Sequence, residues 1–174
     1  MANILIAYFS LKGETIAPGM KIVNLEKGNT AVAAEFIQKV TGGALFEIET
    51  VKAYIKDHMK MIYEAKEELE AGTRVEVKGY PDNFDEYDTV FLGFPNWWNT
   101  MPMAVVTFLE HFDWSGKRII PFCTSEGSGL GNSVADIEKI CIGADIDSGG
   151  AFIGSQVGNS EEKITEWAKT KVRR

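Results

Sequence analysis

Apolar residues fall in blocks along the chain, and the blocks alternate in kind. Residues 3–9, 44–48, 89–94, 118–123 and 150–154 are short, β-branched or aromatic, and almost uncharged. That composition is expected of strands buried on both faces. Between them the apolar positions return at helical spacing: Val32, Phe36, Ile37 and Val40 in 30–41, then Ile55, Met59, Ile62, Ala65 and Leu69. The pattern recurs with Val105, Val106 and Leu109 in 102–111, with Val134, Ile137 and Ile140 in 133–140, and with Ile164, Trp167, Ala168 and Val172 near the end. Gly42-Gly43 and Gly72 stop the first two helices, and Asn159 or Ser160 caps the last. Strand–helix alternation repeated five times predicts an α/β domain spanning 1–174, with a five-stranded parallel sheet covered on both faces. Residues 14–28 carry turn signals at Pro18-Gly19 and Asn24 and read as a loop inserted between first strand and first helix. Residues 73–88 read as a second, polar loop, in which Asp82, Asp85, Glu86 and Asp88 form a solvated face or, as a second reading, a docking patch.

Composition narrows the class. The 174 residues are 45% hydrophobic and 25% charged, as in ordinary globular domains, and the net charge of -7 disfavours nucleic acid and anionic membrane surfaces as partners. It suits a cytoplasmic protein, or a redox carrier docking on a basic partner. No apolar run approaches the length of a membrane span, and the start lacks the basic region and cleavage site of a signal peptide. Cys123 and Cys141 sit among apolar neighbours without metal-type spacing, which predicts reduced, buried, structural thiols. His58 and His111 are far apart in helical stretches and read as exposed or capping residues, and no catalytic group stands out.

The chemistry gathers at strand ends. In a doubly wound sheet of order 2-1-3-4-5, the ends of the first, third and fourth strands meet at the switch point. The first end offers Ser10 and Gly13, then Asn29-Thr30 at a helix start, where free N–H groups and the dipole favour an anion. The third runs into Pro95-Asn96-Trp97-Trp98, two large aromatics able to stack on a flat ring. The fourth breaks into Thr124-Ser125-Glu126-Gly127-Ser128-Gly129, whose amides and hydroxyls can bond a polar heterocycle edge. Gly127-Ser128-Gly129-Leu130-Gly131 has the wrong spacing and the wrong strand for a dinucleotide fingerprint. Phosphate site, aromatic wall and polar edge together match FMN.

On these motifs the chain resembles the flavodoxin-like family, in the NAD(P)H-quinone reductase-like branch with a long first loop. The resemblance rests on Tyr8-Phe9-Ser10 with Gly28-Asn29-Thr30, on Gly93-Phe94-Pro95-Asn96-Trp97-Trp98 with Met101-Pro102, and on residues 121–129. It implies a flavodoxin-like three-layer sandwich and FMN as cofactor. Ser10, Asn29 and Thr30 would hold the phosphate, residues 95–98 would flank the ring, and residues 124–129 would take its polar edge. A backbone amide or carbonyl near Asn96 to Trp98 is a candidate partner for flavin N5. An apolar aromatic wall on a negative protein would disfavour the negatively charged reduced ring and lower its potential. The phosphate loop departs from the simplest family pattern, being split by residues 14–27, which could form a lid, a dimer arm or a cover for the phosphate.

Two functions are compatible with this. One is an FMN-dependent oxidoreductase passing electrons from NAD(P)H to a quinone-like or other flat acceptor; the other is a single-electron carrier for a redox protein partner. Arg74, Arg118, Arg173 and Arg174 all lie outside the three loops, where an NADPH phosphate would want one. A phosphorylated receiver would need acids at the first and third strand ends, where Phe9-Ser10 and Phe94-Pro95 stand. A serine hydrolase lacks its elbow motif around Ser128. A flavin-free scaffold would be colourless.

Overall fold

The computed structural model describes residues 3–172; Met1, Ala2, Arg173 and Arg174, and the expectations that touch them, lie outside the described residues. Its centre is a parallel sheet. Strand β1 (Ile4–Tyr8) lies between β4 (Ala44–Glu47) and β5 (Thr89–Pro95), and β6 (Arg118–Ser125) flanks β5. The last position is filled by two short strands, β7 (Asp145–Ile146) and β8 (Gly150–Ile153), both parallel to β6. The order is therefore the expected 2-1-3-4-5 with the fifth strand divided. Only its second half was anticipated.

Each central strand feeds two cores, which explains why its sequence shows no alternation. Leu5, Ala7, Val90, Leu92, Ile119 and Cys123 face one side, whereas Ile4, Ile6, Phe91, Ile120 and Phe122 face the other. The first side is covered by α2 (His58–Ala71), α3 (Met103–Glu110) and α4 (Ser133–Ile140). The second is covered by α1 (Asn29–Thr41) and α5 (Glu161–Val172), where Trp167 packs edge-on against Phe91, Phe122 and Phe152. No helix among the described residues is long and apolar enough to cross a membrane.

Three expectations are corrected. The inserted loop is a β-hairpin, β2 (Gly13–Ala17) antiparallel to β3 (Lys21–Leu25), turning at exposed Pro18, Gly19 and Met20. Helix α2 starts later than its apolar spacing implied and is rotated: Met61, Ala65 and Glu68 point inward, while Ile55 and Met59 are half exposed. Residues 73–88 are not simply polar, since Val75, Val77 and Phe84 are buried and Thr50 bridges Val77.

Candidate functional site

The backbone after β1 carries Phe9, whose N–H bonds the Gly93 carbonyl, and then Ser10. Helix α1 begins at Gly28, which supplies no side-chain cap. Ser10 supplies one from a distance, its Oγ accepting from the Ala31 N–H at 3.1 Å. Gly28 is wedged beneath it: a Cβ there would lie 2.1 Å from Ser10 Oγ and 2.8 Å from the Leu11 carbonyl oxygen. The result is a helix N-terminus with backbone amides and no acidic side chain in its first turn, a cradle for an anion.

Hydrogen bonds join this cradle to the other two stretches. Thr30 Oγ1 and Thr124 Oγ1 are 2.9 Å apart and buried. The Thr124 carbonyl accepts from the Asn96 N–H at 2.9 Å. Asn96 then reaches both ways, donating from Nδ2 to the Gly129 carbonyl at 2.5 Å and accepting from the Asn99 N–H at 2.9 Å. Ser125 Oγ accepts from the Gly129 and Gly127 amides, which curls the loop after β6, with both glycines at positive φ. Glu126 is committed to Ser155, accepting from its N–H at 2.9 Å and its hydroxyl at 2.8 Å. Asn29 packs its amide against Gly154 beside that pair, Ser128 is exposed, and Pro95 closes β5 opposite Thr124.

The tryptophans lie at the same rim, held in different ways. Residues Trp97 and Thr100 close a tight turn by two backbone bonds, with Trp98 at φ 55° and Asn99 at φ 71°. Left-handed backbone suits Asn, but for Trp it costs free energy and is typical of functional loops. Trp97 stands edge-on to Phe9 and to Tyr54, each at 5.3 Å between ring centres. Trp98 is 40% exposed; its Nε1–H donates to the Ile62 carbonyl of α2 at 2.6 Å, and Lys66 lies over its ring.

A cavity of about 920 Å³ opens beside the cradle. Ser10, Gly13 and Gly28 line it, with the hairpin on one side and Ile48 and Tyr54 on another. Neither the tryptophans nor residues 124–129 line it, so the cavity takes in the phosphate end of the expected site and not the ring end. The hairpin is pinned by Glu14, whose carboxylate accepts from the His58 N–H at 2.8 Å at the start of α2. Tyr8 and Glu47 also line it, and their protons are held more tightly than usual by burial and by neighbouring carboxylates, Glu47 and Glu35 for Tyr8 and Glu49 for Glu47. Neither described arginine is at the rim: Arg74 pairs with Glu110, and Arg118 with Asp147. His111 is exposed and stacks on Tyr80 at 3.6 Å. The residues that sequence reasoning missed are Tyr54, Lys52 and Glu68. Tyr54 OH donates to Glu68 at 2.8 Å, and Lys52 pairs with Glu68 and Glu64.

A family profile described as flavodoxin matches residues 25–171, well over half of the chain. No curated protein matches it. A candidate flavoprotein of Bacteroides eggerthii is 28% identical, with a TM-score of 0.77 and the whole of both chains covered. One of Bacteroides uniformis is 29% identical at TM-score 0.76, covering 97% of this chain and 98% of that one. A Lactobacillus acidophilus flavoprotein, solved in complex with FMN, is 20% identical at TM-score 0.66, covering 91% and 98%, and speaks to the fold alone.

Proposed function

Because this chain belongs to the flavodoxin family, we propose that it binds FMN and acts as an FMN-dependent oxidoreductase on a quinone-like or other flat acceptor. The observation that carries the reading is the hydrogen-bonded knot Thr30–Thr124–Asn96–Gly129, which gathers three distant stretches at one rim. The residues fit the group. Ser10, Gly13 and Gly28 line the cavity where α1 starts at Asn29 and Thr30, a helix start capped only by Ser10 at the Ala31 N–H and so suited to a phosphate, and the hairpin covers it. Residues 95–98 flank the ring, and residues 124–129 offer backbone amides at its polar edge, Glu126 serving there to brace the loop on Ser155. When bound, FMN supplies the electron chemistry. The chain excludes water from one side of the ring with Trp97, Phe9 and Tyr54, and presents the exposed face of Trp98 to a flat acceptor. The free, buried cysteines are consistent with a cytoplasmic protein. NADH or NADPH is the natural donor class, a second copy or a redox protein the alternative partner.

The test is to add FMN to the purified protein, follow flavin fluorescence, and assay turnover with NADH or NADPH and a benzoquinone. We expect tight uptake, quenched fluorescence and turnover. Uptake with no turnover by either nucleotide would transfer the assignment to a single-electron carrier. No uptake would remove the flavin reading altogether.

A further inference from the structure

Helix α2 carries an anomaly. Its inward face is Met61, Ala65 and Glu68, and Glu68 is only 7% exposed. A carboxylate on the buried stripe of a helix is costly even when paired, and an apolar side chain of similar size would usually serve stability as well or better. Glu68 is nonetheless partnered at both oxygens, one by a hydrogen bond and the other by charge alone. One carboxylate oxygen accepts from Tyr54 OH at 2.8 Å, and the other is paired with the Lys52 ammonium, which also lies over the Tyr54 ring at 4.6 Å. Burial and this hydrogen bond hold the Tyr54 proton far more tightly than usual, so the hydroxyl stays a donor.

The restrained ring is the one that meets the site. Phe9, Tyr54 and Trp97 form a closed set of edge-to-face contacts, at 6.3 Å for Phe9–Tyr54 and 5.3 Å for the other two, with interplanar angles of 75–81°. An indole so boxed turns only if Tyr54 turns, and Tyr54 turns only by leaving Glu68 a buried, partly unpaired charge. The adjacent Trp98 is held by the same helix, through the Ile62 carbonyl.

We propose that Glu68 is a positioning residue of the ring site: through Tyr54 it sets the orientation of Trp97, and so tunes how tightly the flavin ring is held. The proposal rests on the FMN reading above. Its test is a double-mutant cycle on FMN dissociation constants, combining Glu68→Gln or Tyr54→Phe with Trp97→Phe, read beside tryptophan fluorescence of the FMN-free proteins. Tyr54→Phe keeps the ring and removes only the hydroxyl, so it guards against a Glu68 variant that folds poorly. We expect each of the two to weaken FMN binding about fivefold with Trp97 present and to have little further effect without it, a coupling in the range found for residues in contact. We also expect both to change the emission that disappears on Trp97→Phe. Equal weakening with and without Trp97 would mean general destabilisation and would overturn the proposal, as would unchanged affinity in both variants. If the unsubstituted protein takes up no FMN, the flavin reading fails first; the fluorescence arm then decides the Glu68–Trp97 link, and unchanged Trp97 emission would overturn it.

Discussion

Asp147 sits where three elements meet. Its carboxylate accepts from Lys171 of α5 at 2.8 Å, from Arg118 at the start of β6 at 3.0 Å, and from the Gly149 N–H at 2.8 Å in the bend between β7 and β8. Burial pulls its proton affinity up, but the hydrogen bonds from Lys171 and Gly149 and the two cationic charges outweigh it and hold the carboxyl below its usual range. A depressed native-state value stabilises the fold above the ordinary carboxylate range, near pH 4, and that contribution fades as pH falls through the lower native value. Asp147→Asn is therefore expected to cost about 1 kcal/mol at neutral pH, with the gap from the unsubstituted protein closing in acid. Urea titrations of both proteins at neutral pH and near pH 3 check this; an equal gap at both would contradict it. Single residues were unevenly legible in sequence. Cys123 and Cys141, bedded in apolar neighbours, are buried free thiols with proton affinities pushed up to about 12 by burial, as read. Glu68, set among the glutamates and lysines of a surface helix, looks like solvent-facing charge until α2 is rotated onto the core.

At the scale of elements, β5 shows what was readable. Its apolar run told of a strand buried on both faces, and Pro95 marked its end. Gly93 within it was not singled out as a packing residue, yet a Cβ there would lie 2.2 Å from the ring of fully buried Phe122. Gly93→Ala is expected to cost about 3 kcal/mol, the upper range for overpacking, because three carbons of the buried Phe122 ring would lie closer than 3.0 Å to the new Cβ. A fall in thermal midpoint without loss of secondary structure by circular dichroism would bear this out. Less than about 1 kcal/mol would mean that the β5–β6 contact relaxes. The hairpin was the element missed. Its turn places Met20 as well as Gly19 at positive φ, and an isolated two-stranded hairpin has marginal stability. Its order comes from docking on α2 through Glu14, a contact 44 residues away that no local pattern announces. The same holds for β7, two residues long, which is a strand only because β6 pairs with it.

At the scale of the molecule, alternation of strands and helices predicts a parallel sheet and right-handed crossovers restrict its topology, while the order 2-1-3-4-5 is the one the flavodoxin-like resemblance implies. That order brings the ends of β1, β5 and β6 to one rim, which is why residues as far apart as Thr30 and Thr124 share a hydrogen bond. The cavity beside the rim was not readable, since it exists only once the hairpin folds over the segment after β4. If that cavity and the α1 N-terminus together hold a phosphate, ligand and fold must be thermodynamically linked. Free FMN at a hundred times its dissociation constant would add about 2.7 kcal/mol to stability, raising the midpoint of a chain this size by roughly 5–11 °C. Gly28→Ala separates site from scaffold. Its Cβ would collide with Ser10 Oγ and displace the group that caps Ala31, at a cost of about 1 kcal/mol for the lost cap. The expected outcome is a modestly lower midpoint without ligand and no rise on adding FMN. A full FMN-dependent rise in Gly28→Ala would place the phosphate elsewhere than at this helix start, whatever grips the ring.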